Sequence, residues 1–258
     1  MEELRISMIQ TELVWEECSA NLEALARMIR PLAQQTDLII LPEMFTTGFT
    51  MAAARLAEPT PGPTLEWMQE QAALTGAAIT GSYIAGDEKG HYNRLVWMHP
   101  DGRYDHYDKR HLFTLAGEQN HYLPGRRHLI VEYRGWRILP LVCYDLRFPV
   151  WSRNTQSYDL LIYVANWPER RAYAWRQLLI ARAIENQAYT IGVNRIGRDG
   201  NEVYYSGDSM LLDYAGQVRY RAAHTTDTFT TTISRQEQDA FRQKFRFLAD
   251  RDRFHIDD

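Results

Sequence analysis

A short apolar run that stops abruptly at a chemistry-bearing residue constrains this chain most, and residues 138–149, ILPLVCYDLRFP, are the most informative instance. A continuous apolar run bounded by charge fits a strand buried on both faces, and in an open α/β sheet the carboxyl ends of such strands face the ligand crevice. Cys143 stands at that junction, held by a rigid strand yet reachable. A cysteine is more commonly an inert buried hydrophobe. Here the sequel Tyr144-Asp145-Leu146-Arg147 is too polar for a strand that simply ends in the core. One irregularity is Pro140, which removes a ladder donor inside the delivering strand and so predicts a bulge, an unpaired position, or a strand that begins only at Leu141.

A thiol needs a neighbouring base or cation before it is a useful nucleophile. Residues 37–43, DLIILPE, are a second apolar run, closed by Pro42 just before Glu43. Tyr107-Asp108-Lys109-Arg110-His111-Leu112 places a lysine between short aromatic stretches, with Arg110 adding a charge where an apolar residue is less surprising. Taken singly, a glutamate after a strand is ordinarily a solvated turn or a cap, and a lysine in a charged cluster is ordinarily surface.

In the order Glu43, Lys109, Cys143, these residues resemble the nitrilase superfamily, the carbon-nitrogen hydrolases built on a Glu-Lys-Cys triad. The resemblance is carried by LPEMFTTGF around Glu43, YDKRHLF around Lys109 and LVCYDLRFP around Cys143. Gly117-Glu118, Leu123-Pro124-Gly125 and ARAIENQ at 181–187 extend it, so that it spans roughly residues 5–233. The CYDLRFP wording is most similar to the omega-amidase branch, which hydrolyses the terminal amide of alpha-keto acid amides. The resemblance implies a four-layer α-β-β-α sandwich and pairing into a homodimer. It implies that Cys143 attacks the amide carbon, that Glu43 moves the proton, and that Lys109 with the Tyr144 N–H meets the oxyanion. The lysine charge would favour the thiolate before attack and the oxyanion after it. Glu118 matches a second glutamate beside the lysine, whose physical use is to keep a buried ammonium charged and aimed. The same triad also serves nitrilases, aliphatic amidases and N-carbamoyl amino acid hydrolases, and a non-catalytic oligomeric binding protein is the reading from another class.

For a carboxylate-bearing amide, Arg147 is a candidate partner through two parallel hydrogen bonds. A salt bridge from Arg147 to Asp145 or Glu185 that holds the cysteine loop is the structural alternative. Phe45, Tyr83, Tyr122 and Trp167 are candidates for shaping the substrate pocket, although aromatics make up 12% of the chain and most must be core.

At 258 residues, with 45% hydrophobic and 24% charged residues, the composition suits one large α/β domain over 1–258, its core at about 4–233 and a C-terminal helix and tail at 234–258. A formal charge of −4 gives no case for nucleic acid or an anionic membrane as partner. No apolar run approaches the ~18 residues of a spanning helix, and no signal-peptide pattern opens the chain, so a cytoplasmic location is expected. Two cysteines, Cys18 and Cys143, make no disulfide framework. His91, His99, His106, His111, His121 and His128 lack the spacing that presents metal ligands on one face, so neither metal nor cofactor is expected; only His111 is near enough to Lys109 to contribute.

Periodicity predicts strands over 4–10, 37–41, 77–85, 94–98, 160–165, 189–196, 203–206, 210–214 and 228–233. Helices are predicted over 15–32, 65–74, 148–157 and 172–187, with a short one after 234. Alternating helices and strands together with hairpin signals indicate an α/β fold with mixed sheets. Residues 113–125 read as an active-site wall, and Asn166-Trp167-Pro168, ending the strand at 165, as a pocket edge.

Overall fold

Strand alternation sorts the apolar side chains into two faces, and that sorting produces the layers. Leu38 and Ile40 turn into a core shared between the two sheets, while Ile39 between them turns toward outer helices. Leu95 and Trp97 face the first core and Val96 and Met98 the second, as a period of two requires. The structure, a computed structural model, describes residues 2–256.

The N-terminal half contains β1 (Glu3–Gln10), α1 (Cys18–Ile29), β2 (Leu38–Ile40), α2 (Ala53–Leu56), α3 (Pro63–Thr75), β3 (Ala78–Asp87), β4 (Gly90–Met98) and β5 (Tyr104–Asp108). The C-terminal half contains β6 (Val131–Tyr133), β7 (Trp136–Val142), α4 (Pro149–Ser152), β8 (Leu160–Ala165), α5 (Ala172–Asn186), β9 (Tyr189–Asn194), β10 (Ile196–Arg198), β11 (Tyr204–Leu212), β12 (Val218–Ala223), β13 (Asp227–Ser234) and α6 (Arg235–Lys244). Among the described residues one sheet has the order β13-β1-β2-β3-β4-β5 and the other β10-β11-β9-β8-β7-β6, with β12 on β11. The two sheets face each other; α1 and α3 cover the first, and α5 covers the second through Trp175, Leu179 and Ala183. Gly192 permits that cover, since a Cβ there would lie 2.5 Å from the Trp175 ring and 2.6 Å from Leu179. This is the four-layer α-β-β-α sandwich.

Strand direction brings the chemistry to one end. β1, β2 and β3 run parallel, and two antiparallel steps through β4 return β5 to the same direction. The residues after β2 and β5, Glu43 and Lys109, therefore leave the sheet at the same end. In the second sheet β7, β8 and β9 are parallel, so Cys143 and Asn166 also leave at a shared end.

Pro140 lies within β7, in register with Ile162 of β8 and without a bulge. The β6 ladder stops at Ile138, two residues short of it. The 203–206 and 210–214 segments are one strand, β11, whose alternation is broken by a register shift between Gly207 and Ser209 with Asp208 at φ +58°. The helix expected over 148–157 contracts to α4, because Asn154 takes the Tyr158 N–H at 3.0 Å and returns a bond to its carbonyl at 2.9 Å, closing a loop instead. Strands β5, β6 and β12 were not anticipated; they are short or carry polar residues on both faces. Among the described residues no helix is long and apolar enough to cross a membrane.

Candidate active site

Both strand ends that carry the chemistry leave through a left-handed residue. Met44, directly after Glu43, has φ +43°, and Cys143 at the end of β7 also has φ +43°. A non-glycine residue there is strained and persists only where its surroundings over-determine it. At Met44 the restraint is Ser82, whose Oγ accepts the Met44 N–H at 2.9 Å and whose carbonyl accepts the Phe45 N–H at 3.0 Å.

At Cys143 the restraint is Asp145, which has no exposed surface. Its carboxylate accepts the Val142 N–H at 3.0 Å, the Tyr107 hydroxyl at 2.8 Å, and His111 through the backbone N–H at 3.0 Å and Nδ1 at 2.7 Å. His111 thus serves the cysteine turn from behind, its ring stacked on Phe148 at 3.6 Å, and does not line the pocket. Arg182, in the ARAIENQ helix, donates to the Leu146 carbonyl at 2.6 Å and fixes the far side of the turn. Arg110 lies over the Trp151 ring at 4.5 Å, which accounts for a cation at that position.

The structure brings Glu43, Lys109, Glu118 and Cys143 into one buried cluster. Lys109 Nζ donates to Glu43 Oε1 at 3.0 Å and to both oxygens of Glu118 at 2.9 Å. Glu43 also accepts from Asn93 Nδ2 at 2.8 Å and, through its other oxygen, from the Asn166 N–H at 2.7 Å. Burial alone would strip the lysine of its proton; the charges of Glu118 and Glu43 reverse this and hold its pKa above the ordinary value. Burial pushes the Glu118 carboxyl up even against the charge of Lys109, and Glu43 adds to the rise.

Cys143 Sγ lies 3.9 Å from the Asn166 carbonyl, and the Glu43 carboxylate is near enough to act on the thiol electrostatically. Burial, followed by the charge of Glu43, pushes the thiol well above its ordinary pKa, and Lys109 does not outweigh them. The lysine charge does favour the thiolate, as expected, but burial and Glu43 act against it and favour the neutral thiol at rest. Two carboxylates and one ammonium already leave the cluster at −1, and ionising the thiol would add a second negative charge in a buried setting.

Above the cluster opens a cavity of about 520 Å³, lined by Lys109, Cys143, Tyr144, Arg147, Asn166 and Trp167 among others. Arg147 pairs with neither Asp145 nor Glu185; it lies over the Trp167 ring at 4.9 Å, and Glu185 is taken by Arg182 at 3.0 Å. Three of the proposed pocket aromatics are elsewhere. Phe45 and Tyr83 belong to the core under the outer helices, because the turn at Met44 and the parity of β3 direct them away from the crevice. Tyr122 is buried with its hydroxyl on the Thr50 carbonyl at 2.6 Å, a structural clamp. Phe113 and Ala116, from the expected 113–125 wall, do line the cavity; sequence reasoning missed Arg170 and Arg171 in the wall, and Asn93 and Asp145 behind it. Only the charge run at Glu169-Arg170-Arg171, just after the flagged Pro168, hinted at the arginines. Among the described residues no group of three or more His, Cys, Asp or Glu is placed to hold a metal ion.

The description of the carbon-nitrogen hydrolase family matches residues 5–243. An omega-amidase, YafV, from Yersinia enterocolitica is 47% identical over 98% of this chain and 99% of its own length. The YafV omega-amidase of Escherichia coli K12 is 46% identical over 99% of this chain and 100% of its own. The crystal structure of XC1258 from Xanthomonas campestris, described as a CN-hydrolase superfamily protein with an arsenic adduct in the active site, superposes with a TM-score of 0.98 at 46% identity over the whole of both chains.

Proposed function

We infer the activity from one premise: this chain belongs to the carbon-nitrogen hydrolase family. It is a cysteine-dependent hydrolase that cleaves a carboxamide to acid and ammonia, and its resemblance to omega-amidases assigns it the terminal amide of a small carboxylate-bearing acid, with alpha-keto acid omega-amides as the substrate class. The observation that carries the reading is the Lys109 ammonium between Glu43 and Glu118, beside the Cys143 thiol and under an open cavity.

In this mechanism Cys143 attacks the amide carbon while its proton passes to Glu43, so the site never holds an extra negative charge. The developing oxyanion is met by Lys109 and by the Tyr144 N–H, which belongs to the first turn of the 3₁₀ segment Cys143–Arg147, where N–H groups lack intrahelical acceptors. Two contacts to Glu118 can be served by one bifurcated N–H, which leaves another for the oxyanion. Glu43 then returns the proton to the departing nitrogen, ammonia leaves, and a thioester remains. Glu43 takes a proton from water as the hydroxyl adds to that thioester, and Cys143 recovers its proton as the acid departs.

Ammonia release from alpha-ketoglutaramate tests this reading. Wild type is expected to turn over, while Cys143→Ala, Glu43→Gln and Lys109→Met each lose activity with an unchanged melting curve. Full activity in any of the three would overturn it. The assembly proposed is a homodimer, supported by the exposed Tyr173 and Ile184 on α5; a monomer by sedimentation at micromolar concentration would refute it.

A further inference from the structure

Three guanidinium groups, Arg147, Arg170 and Arg171, line the cavity that contains Cys143. Among the described residues no carboxylate forms an ion pair with any of them, whereas Arg5, Arg94, Arg182 and Arg242 are all paired. The two carboxylates in the same wall are already engaged. Glu16 accepts from Thr50 and Arg55, and Asp199 from the Tyr205 hydroxyl at 2.8 Å and the N–H groups of Asn201 and Val203 at 2.8 and 3.0 Å. The cavity wall is therefore built with positive charge to spare.

Two of the arginines are mounted in the same way. Arg147 lies over Trp167 with Cζ 4.9 Å from the ring centroid, and Arg171 over Phe113 at 5.0 Å. Trp167 Nε1 donates to the Arg171 carbonyl at 2.9 Å, and Phe113 packs edge-on against Tyr144 at 5.0 Å, so one plate is tied to the backbone that carries Arg171 and the other to the nucleophile turn. A guanidinium laid on an aromatic face keeps its N–H edges available, and those edges grip a carboxylate with two parallel bonds. We propose that Arg171 is a specificity-determining residue that forms, with Arg147, a clamp for the carboxylate at the end of the substrate remote from the amide, with Arg170 adding charge at the rim. Burial and the adjacent charge of Arg170 depress the pKa of Arg171, with Arg147 contributing, and an anion held between them relieves that repulsion. The substrate class this selects is an amide carrying a carboxylate within one short chain. The inference rests on the amide-hydrolase reading above.

The test pairs the monoamide of glutaric acid with pentanamide, which is of similar length and uncharged. In wild type the charged amide is expected to have the higher kcat/KM. Arg171→Gln should cut the charged-to-neutral ratio of kcat/KM about 30-fold, largely through KM, by loss of charge-assisted hydrogen bonds. Arg171→Lys should recover part of it. An equal loss on both substrates would make Arg171 a prop for the Phe113–Trp167 wall and overturn the proposal, as would a ratio that responds to Arg147→Gln alone. Glutarate binding measured by calorimetry reads the clamp without turnover: equal affinity in wild type and Arg171→Gln overturns it. Cys143-dependent turnover of pentanamide reads the hydrolase independently, so failure of one does not hide in failure of the other.

Discussion

Both carboxylate oxygens of Glu118 lie 2.9 Å from the Lys109 ammonium, and neither side chain has any exposed surface. With Glu43 on the same ammonium at 3.0 Å, one cation is shared by two anions in the absence of solvent screening. Such a group is stable only when complete. Its charge balance also decides when the neighbouring thiol gives up its proton.

Glu118→Gln keeps the shape and removes the charge, so Lys109 is expected to shift its interaction toward Glu43 and blunt the base. The expected result is a fall in kcat of about 100-fold, comparable to losing an oxyanion donor, with little change in melting temperature. Glu118→Leu leaves a buried ammonium short of a partner and should cost about 3–5 kcal/mol in urea denaturation. Wild-type kcat in Glu118→Gln would remove the residue from the mechanism.

Alkylation of Cys143 by iodoacetamide, followed on the intact protein by mass spectrometry, reads the thiol directly. Its neutral form is favoured by burial and by the charge of Glu43, so it ionises later than a free thiol. The rate should keep climbing past the ordinary value of about 8.5. Glu43→Gln, which removes the adjacent negative charge, should move the profile to lower pH. A plateau reached below neutral pH would mean a resting thiolate and contradict the proton transfer to Glu43.

Asp145→Asn turns an oxygen that accepts hydrogen bonds into an amide nitrogen that cannot, among donors from Val142, Tyr107 and His111. A buried donor left unsatisfied costs about 1–3 kcal/mol. The cysteine turn loses the restraint on its left-handed backbone as well. Stability by urea denaturation should fall by that amount and kcat should fall with it; a variant that keeps both would show that the turn holds itself.

Gly81→Ala places a Cβ 2.8 Å from the Phe45 ring and 2.9 Å from Leu41 Cβ, on either side of Glu43 in the chain. Overpacking a core of this kind costs about 1–3 kcal/mol. Because Glu43 must be held to within a fraction of an ångström, kcat is expected to fall further than KM rises. Kinetics on the purified variant, with its melting curve alongside, separate the two effects.

The layers and the strand ends were legible because they depend on local periodicity. Apolar runs at 37–41, 138–142 and 160–165 read as strands buried on both faces, and chemistry at their carboxyl ends follows from sheet geometry. The pocket wall was much less legible. Phe45 follows Glu43 by only two residues, yet the positive φ at Met44 turns it into the core, and a single backbone torsion is invisible in composition. Tyr83 was lost to strand parity, since the register that sends alternate residues of β3 outward is set by β2 and β4. Arg171 could not be seen because its meaning comes from Phe113, far away in the chain.

Strand β13 returns from the C-terminal half to pair with the whole of β1, from Glu3 against Ser234 to Gln10 against Asp227. The free margin of that sheet is therefore the threonine-rich DTFTTTIS segment, whose residues are mostly half-buried with Thr230 and Thr232 exposed. A chain shortened before residue 227 would instead present the bare backbone of β1, a strand of mostly buried residues and a ready template for the same strand of another molecule. Shortened forms are thus expected to self-associate edge to edge even where the catalytic end of the sandwich is untouched, so that solubility, more than chemistry, sets how far this protein can be trimmed.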